Sequence, residues 1–324
     1  MKKKTKKILL GCSIATVGIA AIGTASYALA EYLVKFALDR DHPDTLEEIT
    51  PNKPEDMSEL EEFTKAMQEA SCKLSSYECE QVEILSRDGI NLVGHWRPCE
   101  NPKRILLAMH GWRSSWHSDF GMIADFFYDN QCSVLYVEQR GQHQSGGEYM
   151  GFGMLERYDC LDWIQWINEN IGTGLPLYLC GVSMGASTVL MAAGFQLPEN
   201  VHGILADCGF TSTDAIWRHV TETGMHLSYG MLGAIADSIC KEKIHISPRD
   251  YSTLEAMRTN HLPVLFVHGT DDSLVPVEMS YENYKACIGP KRLLVVPGAN
   301  HGMSYYVNRE EYETVLKAFW NDYD

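Results

Sequence analysis

One stretch narrows the possible folds more than any other: Leu175-Pro-Leu-Tyr-Leu-Cys-Gly-Val-Ser-Met-Gly-Ala-Ser-Thr-Val-Leu-Met-Ala-Ala-Gly194. Leu177 to Cys180 is a short apolar run that reads as a buried strand, and Met184 to Ala193 holds small and helix-favouring residues. Between them Gly181-Val-Ser183-Met-Gly185 fits the G-x-S-x-G nucleophile elbow. There the chain reverses so sharply that the serine is held in a strained backbone conformation. Side chains two residues to either side would collide, so both places want glycine. The turn also sets Ser183 at the start of a helix, where free N–H groups and the macrodipole favour a developing oxyanion. A surface serine on an ordinary strand–turn–helix connection is the plainer alternative, so the partners decide.

Around this elbow strands and helices alternate. Gln81–Ser86 and Leu92–Arg97 flank Arg87-Asp-Gly-Ile90, a hairpin signal. Arg104–Met109, Ser133–Glu138, Val201–Cys208, Pro263–Val267 and Arg292–Val296 read as further strands. Phe120–Tyr128 and Gly151–Glu169 read as helices, the second with Leu161, Ile164, Ile167 and Ile171 on one face. Such alternation predicts a mostly parallel sheet with helices on both faces. Residues 211–257 lack strands and predict a small helical cap, in which Trp217, Met225, His226, Tyr229, Met231 and Leu232 are candidate walls of an acyl pocket.

A serine nucleophile needs a base to take its proton and an acid to orient that base. In a fold with this elbow the chain order is Ser, then Asp or Glu, then His. Val264–Val267 runs into His268-Gly-Thr-Asp-Asp-Ser-Leu-Val-Pro276, which carries Asp271 and Asp272. Leu293–Val296 runs into Pro297-Gly-Ala-Asn-His301-Gly302, which makes His301 the expected base. Both loops leave the carboxyl ends of strands, where parallel sheets place functional groups. Met109-His110-Gly111-Trp112 follows another strand, so the backbone N–H of Trp112, with that of Met184, is the expected oxyanion hole. His110 is expected to support its turn.

The amino terminus reads differently. After Lys2, Lys3, Lys4, Lys6 and Lys7, the 23 residues Ile8–Ala30 carry no charge, and as a helix they would span about 34 Å, enough for a bilayer core. The expectation is a single-pass anchor with the body extracytoplasmic. Ala28-Leu-Ala30 resembles a signal-peptidase site, so secretion after cleavage before Glu31 is the competing outcome. Asp39–Asp56, acidic and carrying Pro43, Pro51 and Pro54, reads as a linker. Ser58-Glu-Leu-Glu61 reads as the capping box of an amphipathic helix bearing Leu60, Phe63, Met67 and Leu74. The domain reading is thus an anchor over 1–38, a linker and helix over 39–76, and an enzymatic body over 77–324.

Charge and cysteine usage exclude some functions. The net charge is −16, and without the five leading lysines 22 basic residues face 43 acidic ones, which argues against nucleic-acid binding. None of the ten cysteines forms C-x-x-C, so neither a metal nor a cofactor is expected. Cys72 and Cys79 are the best candidates for a disulfide, a pairing that sequence leaves open.

Taken together, His110-Gly111, Gln139-Arg140-Gly141, Gly181–Gly185, His268–Pro276 and Asn300-His301-Gly302 resemble the α/β-hydrolase superfamily of serine hydrolases from about Tyr77 to Asp324. Within it the chain resembles bacterial membrane-tethered hydrolases of the serine aminopeptidase, S33-like type. One departure is Arg140-Gly-Gln-His-Gln-Ser145, where many relatives read Arg-Gly-His-Gly-x-Ser, so His143 receives no role. The resemblance implies an α/β-hydrolase fold and a small-molecule acyl substrate, with no obligate protein partner readable. Its H-G-x-x-D-x-x-V-P pattern puts the acid at Asp272, leaving Asp271 toward solvent. The implied chemistry is two-step acyl transfer to water by Ser183, His301 and Asp272. An acyltransferase or peptidase with the same triad, or a non-catalytic binding module, are the alternatives.

Overall fold

The computed structural model describes residues 23–41 and 57–324. Eight strands form one sheet: β1 (Glu80–Leu85), β2 (Asn91–Arg97), β3 (Arg104–Met109), β4 (Cys132–Val137), β5 (Leu177–Val182), β6 (Val201–Asp207), β7 (Val264–Gly269) and β8 (Lys291–Val296). Their order is β1-β2-β4-β3-β5-β6-β7-β8. β1 and β2 form the expected antiparallel hairpin, and β2 pairs antiparallel with β4. Every later pairing, from β4–β3 to β7–β8, is parallel.

β3, β4 and β7 are buried along their whole length, as a parallel sheet covered on both faces requires. Alternation along β3 divides its side chains. Ile105, Leu107 and Met109 pack with Trp163, Ile164 and Ile167 of α5 (Glu156–Asn170) and with Val189 and Leu190 of α6 (Met184–Ala192). Leu106 and Ala108 pack on the opposite face. That face is covered by α2 (Met57–Ser75), α3 (Trp116–Phe120), α4 (Ala124–Asp129) and, beyond α10 (Val277–Ala286) and α11 (Ser304–Val307) in the chain, by α12 (Arg309–Tyr323).

A third cluster lies over the carboxyl ends of the strands. It joins α7 (Thr213–His219) and α8 (Tyr229–Lys243) to Trp112, Phe152, Met184 and Phe210. A π-helical turn, Val220–Gly224, follows α7. α9 (Thr253–Met257) instead sends Ala256 and Met257 into the cluster under α5 and α6.

The amino-terminal expectation needs correction. Most of the expected anchor, residues 8–22, lies outside the described residues. The rest forms helix α1 over residues 23–38, and its Ala30, Val34, Phe36, Ala37 and Leu38 are buried in the third cluster. These side chains face the protein's own cap and so have no apolar surface left for lipid. Among the described residues no helix is long and apolar enough to cross a membrane, and the transmembrane, single-pass assignment falls with that observation. The candidate cleavage site, Ala28–Ala30, sits inside the continuous α1. The chain at Leu38 and Arg40 is also held: Arg40 N donates to Glu148 O at 2.9 Å, and Met150 N donates to Leu38 O at 2.8 Å. The remaining linker, 42–56, is outside the described residues, as are the side chains of 57–59 that the capping box involves.

Smaller differences have local causes. The expected 120–128 helix is two short helices, α3 and α4, broken between Phe120 and Ala124. The expected 151–169 helix starts only at Glu156, because its carboxylate accepts the N–H groups of Gly151 and Gly153 at 2.6 and 2.7 Å. With Gly153 at φ +90°, the entry is a tight loop. Cys72 and Cys79 are both free thiols, not a disulfide.

Candidate active site

The elbow is built by steric exclusion. Ser183 separates β5 from α6 at φ 55° and ψ −118°, a region that costs a non-glycine residue about 1–3 kcal/mol. A Cβ on Gly181 would lie 2.2 Å from Gly185 O, and one on Gly185 would lie 1.9 Å from Met109 O. Neither site has room for any side chain. Ser183 N donates to Asp207 O at 2.8 Å, and Ser183 O accepts from Ser187 N at 3.0 Å, so the strained residue is pinned at both ends.

The structure brings the three expected side chains together from the ends of three strands. His301 Nε2 is 2.9 Å from Ser183 Oγ, and His301 Nδ1 is 2.7 Å from Asp272 Oδ2. Asp272 Oδ1 accepts from Leu274 N at 3.0 Å and Val275 N at 2.8 Å. Asp271 is exposed and takes only the neighbouring Thr270 hydroxyl, at 2.6 Å. Burial alone would raise the Asp272 pKa, but the charge on His301 and hydrogen bonds from His268 and His301 outweigh it and hold the carboxyl far below its usual range. For His301, burial opposes protonation, yet the Asp272 carboxylate prevails and the imidazole pKa is raised well above 6.5.

Several participants have no role assigned to them from the sequence. His268 is fully buried, with Nε2 3.1 Å from Asp272 Oδ2 and 2.8 Å from Val275 O. Two acceptors at one nitrogen fix the proton there, so His268 is a second donor to the acid. Asn300 Oδ1 accepts from His301 N at 2.7 Å and Ser273 N at 3.1 Å, tying the base loop to the acid loop. Asp119 Oδ2 accepts from Gly111 N at 2.6 Å, and a Cβ on Gly111 would come within 3.3 Å of Ser183 Cβ. Asp119 thereby holds the turn that carries Trp112.

The backbone N–H groups of Trp112 and Met184 donate to no protein acceptor among the described residues. His110 is buried, its Nδ1–H donates to Gly111 O at 2.7 Å and its Nε2 accepts from Gln139 N at 3.1 Å. Burial depresses its pKa to about 4, which suits a neutral turn-supporting imidazole. His143 lines the same cavity as Ser183, with its Nε2 2.5 Å from Ser114 O. Cys208 lies beside the relay: its sulfur and ligand atoms of Asp272 and His301 are within 4.8 Å of one another. Burial pushes that thiol up to about 11, so it is neutral, while the histidine and carboxylate are already committed to each other.

A cavity of about 540 Å³ opens on Ser183 and His301. Of the six cap residues singled out above, Trp217, Met225, Tyr229 and Leu232 line it. His226 and Met231 are exposed and stand outside. Its walls also include Val34 and Ala37 of α1 and Phe63 and Met67 of α2, helices that the sequence assigns to an anchor and to an amphipathic segment ahead of the enzymatic body.

Comparison with known proteins places this geometry. A family model described as the prolyl oligopeptidase family matches residues 118–323. The Bacillus subtilis protein YqkD, uncharacterised, is 26% identical over 315 residues, 97% of each chain. The Escherichia coli K12 protein YfhR, also uncharacterised, is 23% identical over 234 residues, 69% of this chain and 74% of its own. Among solved structures, the Pyrococcus furiosus esterase Pf2001 superposes with a TM-score of 0.63 at 22% identity, covering 78% of this chain and 93% of that one. The esterase RhEst1 from Rhodococcus gives a TM-score of 0.55 at 16% identity, covering 75% and 99%. At such identities the structural likenesses speak for the fold. The α/β-hydrolase assignment stands, whereas the matching family model is not that of the S33-like aminopeptidases.

Proposed function

This chain belongs to the prolyl oligopeptidase family and is an α/β-fold serine hydrolase, and we propose that it hydrolyses carboxylic esters through Ser183, His301 and Asp272. The observation that carries the reading is the continuous relay, 2.9 Å from Ser183 Oγ to His301 Nε2 and 2.7 Å from Nδ1 to Asp272. His301 Nε2 takes the serine proton as Oγ bonds to the carbonyl carbon. The carbonyl oxygen becomes an oxyanion that accepts from Met184 and Trp112 N–H groups. Collapse breaks the bond to the leaving oxygen, which receives the proton from Nε2, and the alcohol departs. Water then adds to the acyl-enzyme by the same steps in reverse, releasing the acid and restoring Ser183. Asp272 stays ionised throughout, its depressed pKa supporting the imidazolium formed in each step.

The family match favours one second reading, amide hydrolysis by the same relay. Esters and aminoacyl amides are therefore assayed side by side. A fluorophosphonate probe should label Ser183, and Ser183→Ala should abolish labelling and lower turnover by about three or more orders of magnitude. Unchanged turnover in that variant would remove the proposed chemistry.

A further inference from the structure

The cavity at Ser183 is walled by two separate bodies of apolar side chains. On one side stand Ala30, Val34 and Ala37 of α1 with Ile216, Leu232 and Ala236 of the cap, all members of the third cluster. On the other stand Phe63, Phe127, Tyr305 and Tyr306, which belong to or pack on the cluster beneath α2 and α12. Ser183 stands in the chain between Val182, which packs on the second of these clusters, and Met184, a member of the first, and it lines the cavity with Gly111 and His301.

The ionic groups that reach these walls are already partnered. Asp119 accepts from Gly111 N and from Ser114 Oγ at 2.5 Å. Asp207 accepts from Ser304 Oγ at 3.3 Å and Tyr312 OH at 3.1 Å, and burial raises the pKa of both acids. Arg113 Nη2 donates to Phe36 O at 2.9 Å and Asp39 O at 2.7 Å. A substrate ammonium or carboxylate would therefore lose its hydration without gaining a committed counter-charge.

Resting on the ester-hydrolase reading above, we propose that the site takes neutral lipophilic esters, with a medium-to-long unbranched acyl chain lying in the cap-side arm and α1 forming its wall. The chain runs to that side because the candidate oxyanion donors, Trp112 and Met184, send their side chains into the cap-side cluster. The leaving oxygen meets His301, whose loop continues into Tyr305 and Tyr306 on the other side. A volume of about 540 Å³ falls within the range of roughly 300–1,000 Å³ that encloses small organic ligands. Cavities of this kind select by methylene count.

The experiment is kcat/KM on p-nitrophenyl esters from acetate to dodecanoate, with the full chain and each ester below its aggregation limit. The rate constant should climb up to about fourfold per added methylene, equivalent to about 0.8 kcal/mol of burial, and peak at octanoate or longer. Ala37→Phe and Ala236→Phe, on two different elements of the arm, should each lower the octanoate-to-acetate ratio at least about tenfold and move the peak to shorter chains. A maximum at acetate or propionate, with Ser183 still labelled by fluorophosphonate, would overturn the acyl-arm proposal alone. No ester turnover and no labelling would overturn the hydrolase reading and this proposal with it. Should either phenylalanine variant fail to fold, the wild-type chain-length profile still decides.

Discussion

Replacing Asp272 by asparagine separates the acid's electrical role from its structural one. In the native site Oδ1 takes the Leu274 and Val275 N–H groups at 3.0 and 2.8 Å, and Oδ2 faces His301 Nδ1 at 2.7 Å. An asparagine whose carbonyl keeps the two backbone donors must turn its amide nitrogen toward Nδ1. That nitrogen donates, so Nδ1 has to accept, and the imidazole proton moves to Nε2. Nε2–H then points at Ser183 Oγ, 2.9 Å away, and cannot take its proton. The same tautomer fault in a serine protease costs about four orders of magnitude in kcat, or about 5.4 kcal/mol at 1.36 kcal/mol per decade.

The fold should survive this change. His268 Nε2 loses a partner at 3.1 Å but keeps Val275 O at 2.8 Å, so the expected stability cost is about 1–3 kcal/mol. Asp271→Asn alters an exposed carboxylate bonded only to Thr270 and should change turnover by less than about threefold. Turnover of a p-nitrophenyl ester and the melting temperature are measured for both variants. A dead Asp271→Asn beside an active Asp272→Asn would refute the assignment. Loss of activity in Asp272→Asn that merely follows a collapsed melting transition would refute the tautomer argument.

Two further outcomes follow from the geometry. Because the proposed base, His301, would work as neutral imidazole and its pKa is raised above 6.5 by Asp272, kcat/KM should fall as pH drops through that raised value and climb from neutral into alkaline solution. A profile already flat at and below 6.5 would contradict the strength of the His301–Asp272 coupling. Gly185→Ala, whose Cβ would sit 1.9 Å from Met109 O, should cost about 3 kcal/mol or more and remove activity by displacing β3 from the elbow. Gly174→Ala, with nothing within 4 Å, should leave the melting temperature nearly unchanged.

What could be read in advance depended on whether the deciding physics is written next to the residue. The elbow was legible because its constraint lies in the identities of Gly181 and Gly185 themselves. Strands β3, β4 and β7 were legible because burial on both faces makes them apolar, and the loops after β7 and β8 because Asp272 and His301 follow apolar runs. Helix α1 was not. An apolar run looks the same whether it faces lipid or the protein's own cap, and its partners lie far along the chain. Trp112 Nε1 donates to Ala37 O at 2.8 Å across 75 residues, and Lys243 meets Asp39 at 3.1 Å across 204. Asp119 was missed because an acid on a five-residue helix has no pattern of its own. Asn300 and His268 flank recognised residues, yet only the folded loops reveal that one ties the base loop to the acid loop and the other donates to the acid.

The relay also has a consequence for when during folding the chain can become active. Asp272 and His301 are 29 residues apart, whereas His301 and Ser183 are 118 apart. Loop-closure entropy makes the longer contact costlier by only about 1.2 kcal/mol, so distance alone does not delay it. Register does: Ser183 belongs to β5 and His301 follows β8, with β6 and β7 between them in the sheet. Until the last strand docks, His301 cannot stand at Ser183, whatever the state of the elbow, the Asp119-braced turn and the cap. With the proposed relay, turnover would be a reporter of the final strand's arrival, sensitive to a fraction of the sheet that bulk secondary-structure signals would average away.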